Sequence, residues 1–516
     1  MNIIRGKEAI LEKVPDLLYD ESRMTGGVPQ AVCFPETTED LQDILREAEG
    51  SSTPVVCAGA QTGITAGGTP QEGCILISFS AMKKIEQAAE GPDNTLLLRC
   101  QPGVTLEEIE GFLSGSDEDA PEVPGVALPR DSSFVYLPDP TEMSASLGGT
   151  IATNASGARS FRFGSTRKHV EELLVVLIGG ETLTLKRGQV AEREGTFSFT
   201  TDQGTSLVIP APDYPWTWKK NASGYYSAPE MDLVDLFIGS EGTLGVIARA
   251  GIRLVRRPEI LSGVSFFPHR DKAFSFASFL RKDERVISVE YFDGTALNLL
   301  RTYGEGLSLK LPLFPPQAGA AVFWEYWETP ENPLEEELER WEEVLVESSS
   351  SLDLTWSGFD DDEKARLKVF RHAVPEIVNT RIAEAKRSFP SVRKVSTDAA
   401  VSEEHFKAVV DRFFEALEPS DLDFAVFGHL GDCHLHFNLI PKSDEEMARA
   451  VELYAKLMDI TLASGGTVSA EHGIGRIKTA YLEKMYPPAA LRRMKEIKTA
   501  LDPSWILNRG TLFSSP

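Results

Sequence analysis

The sequence predicts an α+β protein of two or three domains, on three observations. At 516 residues the chain is too long for one ordinary core. Its first half alternates short β-branched runs with amphipathic helical stripes, and residues from about 262 to 440 read as strands with helices between them. Beyond residue 445 the pattern is helical almost to the end. A hydrophobic share of 42% and a charged share of 25% are those of a soluble globular protein.

The elements follow in order. Pro35-Glu-Thr37-Thr38-Glu-Asp-Leu41 opens a helix: Thr37 or Thr38 caps it, acids fill the first turn, and Leu41, Ile44, Leu45 and Ala48 form an apolar stripe. Residues 53–58 read as a buried strand. It runs into the glycine-rich loop Gly59-Ala60-Gln61-Thr62-Gly63-Ile-Thr65-Ala-Gly67-Gly68, and 74–78 read as the next strand. Such a loop brings backbone N–H groups to a phosphate without interference from Cβ. Three more glycine-rich segments follow: Pro138 leading to Gly148-Gly149, Asn154 and Gly157; Arg162-Phe-Gly164-Ser-Thr166-Arg167 before a strand at 172–178; and Gly239-Ser240-Glu241-Gly242-Thr243 running to Ile247. None is a Walker P-loop or a GxGxxG turn. A tight turn explains one such segment; four point to a long cofactor lying along several loops.

Residues 186–230, rich in Thr, Pro and Trp, read as an insertion, in which Lys219-Lys220-Asn221 either reaches the ligand or lies on a solvated loop. A boundary falls near Arg256-Arg257-Pro258. Strands are expected near 262–267, 285–292, 320–327 and 424–440, an acidic helix with a solvated face over 331–350, and a helix over 445–463. The last helical stretch runs to Ile506-Leu-Asn508-Arg509-Gly510.

The chemistry concentrates late in the chain. Four of the eight histidines stand in His429-Leu-Gly-Asp432-Cys433-His434-Leu-His436 and in Ala470-Glu471-His472-Gly473. Imidazoles with one carboxylate suit a divalent transition metal, and three protein ligands leave a position open for substrate. Residues 434–440 alternate polar and apolar, so a strand there puts His434, His436 and Asn438 on one face. His429 joins that face only if the chain doubles back at Gly431-Asp432, a turn signal. A set of satisfied core or surface histidines is the bland alternative.

Composition excludes other classes. A net charge of −26 argues against nucleic acid as partner. Five scattered cysteines without a CxxC pair point to a reducing compartment and to no iron–sulfur centre in this chain. No apolar stretch approaches the ~20 residues of a membrane span, and the N-terminus does not read as a signal peptide. A cytoplasmic protein is expected.

Taken together, AGAQTGITAGG, LPDP, SLGGTIATNASG, RFGSTR, IGSEGTLGVI, GHLGDCHLHFN, SAEHGIG and ILNRG resemble the flavin-linked 2-hydroxy acid dehydrogenases of the vanillyl-alcohol oxidase superfamily, over residues 28–513. That family includes D-lactate dehydrogenases, the glycolate oxidase catalytic subunit and D-2-hydroxyglutarate dehydrogenase. The resemblance implies a two-subdomain FAD-binding domain over 1–258, an α+β substrate (cap) domain with the metal-binding strand over 259–444, and a helical segment, 445–516, returning to the flavin. It implies dissociable FAD. Gly59, Ala60, Gln61, Thr62 and Gly63 would cradle its pyrophosphate, and Pro138, Gly148, Gly149, Asn154 and Gly157 would meet the flavin. Gly239, Ser240, Glu241, Gly242, Thr243 and Ile247 would complete the pocket, with Asn508 near the isoalloxazine. His429, His436 and Glu471 would hold a divalent ion, in this family usually zinc, with His472 as base. Arg371 would anchor the substrate carboxylate, Lys394 being a weaker candidate.

The implied reaction is oxidation of a D-2-hydroxy acid (the D-lactate, glycolate or D-2-hydroxyglutarate type) to the 2-oxo acid by hydride transfer to flavin N5. Electrons would pass on to a quinone, an electron-transfer flavoprotein or an Fe–S protein, and a homodimer is compatible with the sequence. Two alternatives stand beside it: a non-oxidative FAD enzyme of the alkylglycerone-phosphate synthase type, and a non-catalytic subunit of a multi-subunit oxidase. The chain departs from the family's usual pattern at Cys433-His434, where Gly-Asn is common, at Arg509, where Pro is common, and at Ala58, where Arg is frequent.

Overall fold

Two short apolar runs, Val55–Ala58 and Ile75–Ser78, are largely buried and pair in parallel. Ala31–Phe34 adds a third parallel strand beside Ile75–Ser78, and Asn2–Arg5 closes the edge antiparallel. The helix Thr38–Ser51 packs Leu41, Ile44, Leu45 and Ala48 inward. Thr37 is its cap, accepting from the Asp40 N–H, and Ser52 ends it in the left-handed region at φ 53°. The computed structural model describes residues 1–114, 134–138, 141–216, 220–304, 311, 314–329, 333–358 and 360–514. Asp139, Pro140, Lys219 and the first two residues of the expected 331–350 helix lie outside the described residues.

A second, antiparallel sheet has the order Ile85–Glu90, Leu96–Cys100, Val246–Arg256, Val170–Val176, Thr182–Lys186, with Phe134–Val135 paired to the long central strand. The stretch read as an insertion is more ordered than its composition suggests. Thr196–Thr200 and Ser206–Pro210 form a hairpin, and Lys220 and Asn221 beyond it are buried.

The third sheet is antiparallel and seven-stranded, ordered Thr355–Gly358, Glu259–Phe267, Ala320–Glu328, Val286–Asp293, Phe424–Gly428, His436–Leu439, Val395–Ser396. One face packs against the helix Asp361–Ser388 through Phe292, Phe323 and Phe370. The other contributes Tyr291, Val322 and Val426 to an apolar core that also holds Leu98, Val175 and Ile252 of the second sheet. The expected 331–350 helix is not merely a solvated face. Its described helix, Leu338–Glu347, buries Trp341 against Phe276 and Trp324.

The helix Asp444–Ala463 starts on the Ser443 cap, and Thr479–Met485 and Pro488–Leu501 follow. The chain then returns to the first sheet, where Leu507 bridges in parallel to Val55. Among the described residues no helix is long and apolar enough to cross a membrane.

Candidate active site and metal centre

The expected strand over 424–440 is a hairpin, and its turn builds the site. Phe424–Gly428 pairs antiparallel with His436–Leu439, Phe427 facing His436. Gly428, at φ 134°, lets the chain leave the strand; a short 3-10 turn at Leu430–Asp432 and Cys433 at φ 54° bring it back. Doubling back at Gly431-Asp432 brings the His429 and His436 rings to 5.7 Å between centroids, as the spacing anticipated. His434, just before the strand and bridged to Ala400, lies on the same side as His436, with 4.5 Å between the ring centroids.

Glu471 and His472 arrive from the loop after Asp444–Ala463. That loop is held by Asp398, whose carboxylate accepts from the N–H groups of Ala470, Glu471 and His472, each at 3.1 Å, and from Ser469 Oγ at 2.7 Å and Lys478 Nζ at 2.6 Å. Glu471 then faces the histidines. Its Oε2 lies 3.3 Å from His429 Nε2 and 3.8 Å from His434 Nδ1, and its Oε1 3.1 Å from His436 Nε2. One donor atom from each of His429, His434, His436 and Glu471 falls within 4.8 Å of the others. The far ring nitrogens are oriented too: His429 Nδ1 donates to Glu290 Oε1 at 2.7 Å, and His436 Nδ1 to the Thr397 carbonyl at 3.0 Å. Metal-ligating histidines are oriented in this way, so the residues fit a divalent ion.

Charge in this buried cluster is strongly coupled. Burial opposes ionisation of Glu471, but Lys220 (Nζ at 3.0 Å), His429 and His434 hold its carboxyl well below the usual range. Burial alone would lower His429; the Glu290 carboxylate overrides it and raises the imidazole to about 9. His434 is pushed down to about 3 by burial and by His436 beside it. Glu290 also stays ionised against burial, through His429 and then Arg371.

Arg371 therefore lies on the metal side, half-buried on Asp361–Ser388. With Lys364, Lys368, Tyr136 and Arg159 it lines a cavity of about 240 Å³ between the seven-stranded sheet and the second sheet's domain. Arg159 spans that gap in a two-pronged pair with Glu325, at 2.8 and 2.9 Å. Lys394 is accessible, yet desolvation lowers its ammonium to about 8.

The glycine-rich segments converge on the same loop. After Val55–Ala58, Gly59, Ala60, Gln61, Thr62 and Gly63 form an open turn with Gln61 at φ 60°. Among the described residues, the peptide N–H groups of Gln61, Thr62, Gly63 and Ile64 donate to no protein acceptor, and such a nest of donors fits a pyrophosphate. Ser146 caps the short helix Leu147–Thr153, where a Cβ on Gly148 would collide with Pro102 at 2.5 Å. Asn154 ends that helix at φ 50° and accepts from the Arg167 N–H; Pro138 is buried nearby in sequence, and the Gly157 N–H donates to Ser160 Oγ. Ser156 Oγ donates to Glu471 at 3.2 Å. In the turn formed by Gly239, Ser240, Glu241, Gly242 and Thr243, the Glu241 carboxylate accepts from the N–H groups of Ile474 and Gly475, at 2.8 and 2.7 Å. Ile247 stands half-buried on the central strand of the second sheet. Asn508 joins the end of Val55–Ala58 to this turn: its Oδ1 accepts from the Cys57 N–H at 3.0 Å and its Nδ2 donates to the Glu241 carbonyl at 2.7 Å.

Sequence reasoning missed Asp398 and Glu290 and named Lys220 only within a segment. Glu290 had a signal, an acid inside the apolar strand Val286–Asp293 that burial obliges to find a partner. Asp398 had none.

A turn with open N–H groups, tied through one loop to a histidine–carboxylate cluster, would suit an enzyme with a nucleotide cofactor and a metal ion. Comparison with known proteins agrees: residues 29–118 and 131–186 match an FAD binding domain, and 258–512 match the C-terminal domain of FAD linked oxidases. The chain belongs to the FAD-linked oxidases of the vanillyl-alcohol oxidase type and is an enzyme of that family. It is 27% identical to glycolate oxidase subunit GlcD of Bacillus subtilis, covering 96% of this chain and 91% of the relative. It is also 27% identical to a D-2-hydroxyglutarate dehydrogenase of Stutzerimonas stutzeri (96% and 93% covered) and to a probable mitochondrial D-lactate dehydrogenase of Danio rerio (95% and 86%). A solved alkyldihydroxyacetonephosphate synthase shares the fold, with a TM-score of 0.60 at 14% identity over 93% of this chain and 76% of that one.

Proposed function

We propose that the protein oxidises a D-2-hydroxy acid to the 2-oxo acid with FAD and a divalent ion. The observation that carries this is the junction of His429, His436, Glu471 and His472 with the loops of the FAD-binding fold, through Ser156 and Glu241. FAD, when bound, would supply the hydride acceptor, and an ion held by His429, His436 and Glu471, with zinc as the family's usual choice, would polarise the substrate hydroxyl.

The chain's own residues do the rest. Arg371 presents a planar, permanently charged fork to the substrate carboxylate. His472 Nδ1 lies 3.2 Å from Asp398 Oδ2, which orients the ring, and its Nε2 lies 3.6 Å from Glu471 Oε1, on the side where substrate would meet the cluster. Only partly buried, His472 takes the hydroxyl proton at Nε2. Electrons leave to a quinone, an electron-transfer flavoprotein or an Fe–S protein. The five cysteines are unpaired, in keeping with a reducing compartment such as the cytoplasm.

The test is anaerobic. FAD-reconstituted protein with added zinc is mixed with D-lactate, glycolate, D-malate or D-2-hydroxyglutarate while the visible flavin band is followed. Bleaching by one of them, lost on chelation while FAD stays bound, is expected. Full retention of the band with every acid would overturn the reading in favour of a non-oxidative enzyme or a non-catalytic subunit.

A further inference from the structure

His434 has no role in the proposed reaction, and its setting is not that of an ordinary core histidine. It is fully buried, yet neither ring nitrogen makes a hydrogen bond. Buried polar atoms are rarely left so. His169, a buried histidine outside the cluster, keeps at least one ring bond, from Nε2 to the Phe163 carbonyl.

The ring is also aimed. Nδ1 points to the cluster, 3.8 Å from Glu471 Oε2, and the ring centroid lies 4.5 Å from that of His436 and 5.6 Å from that of His429. The opposite nitrogen, Nε2, faces Asp398 Oδ1 at 3.4 Å. His434 thus repeats the arrangement of its neighbours, one nitrogen toward the cluster and the other toward an oxygen acceptor. Donors around one ion, with bonds of about 2.1 Å, stand roughly 3–4.2 Å apart. The four donors here lie within 4.8 Å, so closing onto one ion requires movements of only a few tenths of an ångström.

We propose that His434 is a fourth protein ligand, through Nδ1, so that this chain holds its ion with three imidazoles and one carboxylate. The proposal rests on the metal reading above and adds a residue to it. It has a chemical consequence. With four protein donors, an ion that also takes substrate must accept a fifth, as manganese(II), cobalt(II) and five-coordinate zinc do.

The experiment uses the full-length, FAD-loaded protein freed of metal and titrated with cobalt(II) alone. Its visible d–d bands report coordination number, and ligating imidazoles give hyperfine-shifted, exchangeable N–H proton resonances. Wild-type protein is expected to show three such resonances, from His429 Nδ1, His434 Nε2 and His436 Nδ1. His434→Asn is expected to lose one, change the d–d bands and bind cobalt at least tenfold more weakly, with the FAD spectrum unchanged. Two resonances in the wild-type protein overturn the proposal even if His434→Asn fails to fold. So does a variant with unaltered bands and affinity. If cobalt binds and His436→Ala abolishes binding while His434→Asn does not weaken it, only the fourth ligand fails; if cobalt does not bind at all, the metal reading fails with it.

Discussion

Asp398→Asn tests the architecture of the site most directly. The Asp398 carboxylate, only 2% exposed, accepts from three successive N–H groups, one hydroxyl and the buried Lys478 ammonium. Asparagine keeps the size but removes the charge and leaves Lys478 without its counter-ion. Breaking a buried pair costs about 3–5 kcal/mol, and hydrogen bonds to a charged acceptor add about 1.5–3 kcal/mol each, without simple additivity. A loss of about 4 kcal/mol is therefore expected. At about 2–4 °C per kcal/mol for a domain of 150–250 residues, the melting temperature should fall by roughly 8–16 °C. The sign with pH is also determined. Asp398 is held well below its ordinary value of 3.8, so its contribution is fully present above that value and disappears as pH falls below it. The gap between wild type and variant should stay constant from neutral pH down to 5 and close only in stronger acid. Displacing the Glu471–His472 loop by even ~1 Å should slow flavin reduction about 100-fold. Differential scanning calorimetry and stopped-flow bleaching are the assays. A variant that melts with the wild type and reduces flavin at the same rate would refute the assignment of Asp398 as the clamp of this loop.

Other changes separate the remaining roles. His472→Ala should lower the rate of flavin reduction by at least 100-fold while FAD absorbance and metal content stay normal; near-normal reduction would remove it as the base. Glu241 is fully enclosed, and burial raises its carboxyl from 4.5 to about 7. A raised carboxyl contributes stability below 4.5 that is lost as pH rises through 7, at most about 3 kcal/mol. Glu241→Gln should therefore flatten the fall in urea midpoint between pH 5 and 8, and parallel curves would contradict the shift. Arg159→Met strands the Glu325 carboxylate and should cost about 3 kcal/mol, seen as faster limited proteolysis between the second and third sheets. Arg159→Met with Glu325→Met should recover most of it, and equal proteolysis of both variants would deny the pair its docking role.

The local grammar of the chain was legible without a structure. A cap at Thr37 or Thr38, the Leu41–Ala48 stripe and the doubling back at Gly431-Asp432 depend on residues within a turn or two of one another; the structure gives the cap to Thr37 and keeps the other two. The histidine and glycine-rich segments named the residues that the structure gathers into the candidate site for the same reason, since side-chain chemistry and backbone freedom are written into residue type. Alternation put His434 beside His436, and their ring centroids lie 4.5 Å apart although His434 itself precedes the strand. The composition of 186–230 concealed the Thr196–Pro210 hairpin and the burial of Lys220, which depends on Glu471 and Asp432 far along the chain. Only tertiary structure decided that Asp398 clamps the Glu471–His472 loop from 71–80 residues away and that Ser156 meets Glu471 across 315. Periodicity records which neighbours share a face. It carries no term for a charge whose partner arrives from another sheet, and burial, set by the whole fold, decides what that charge is worth.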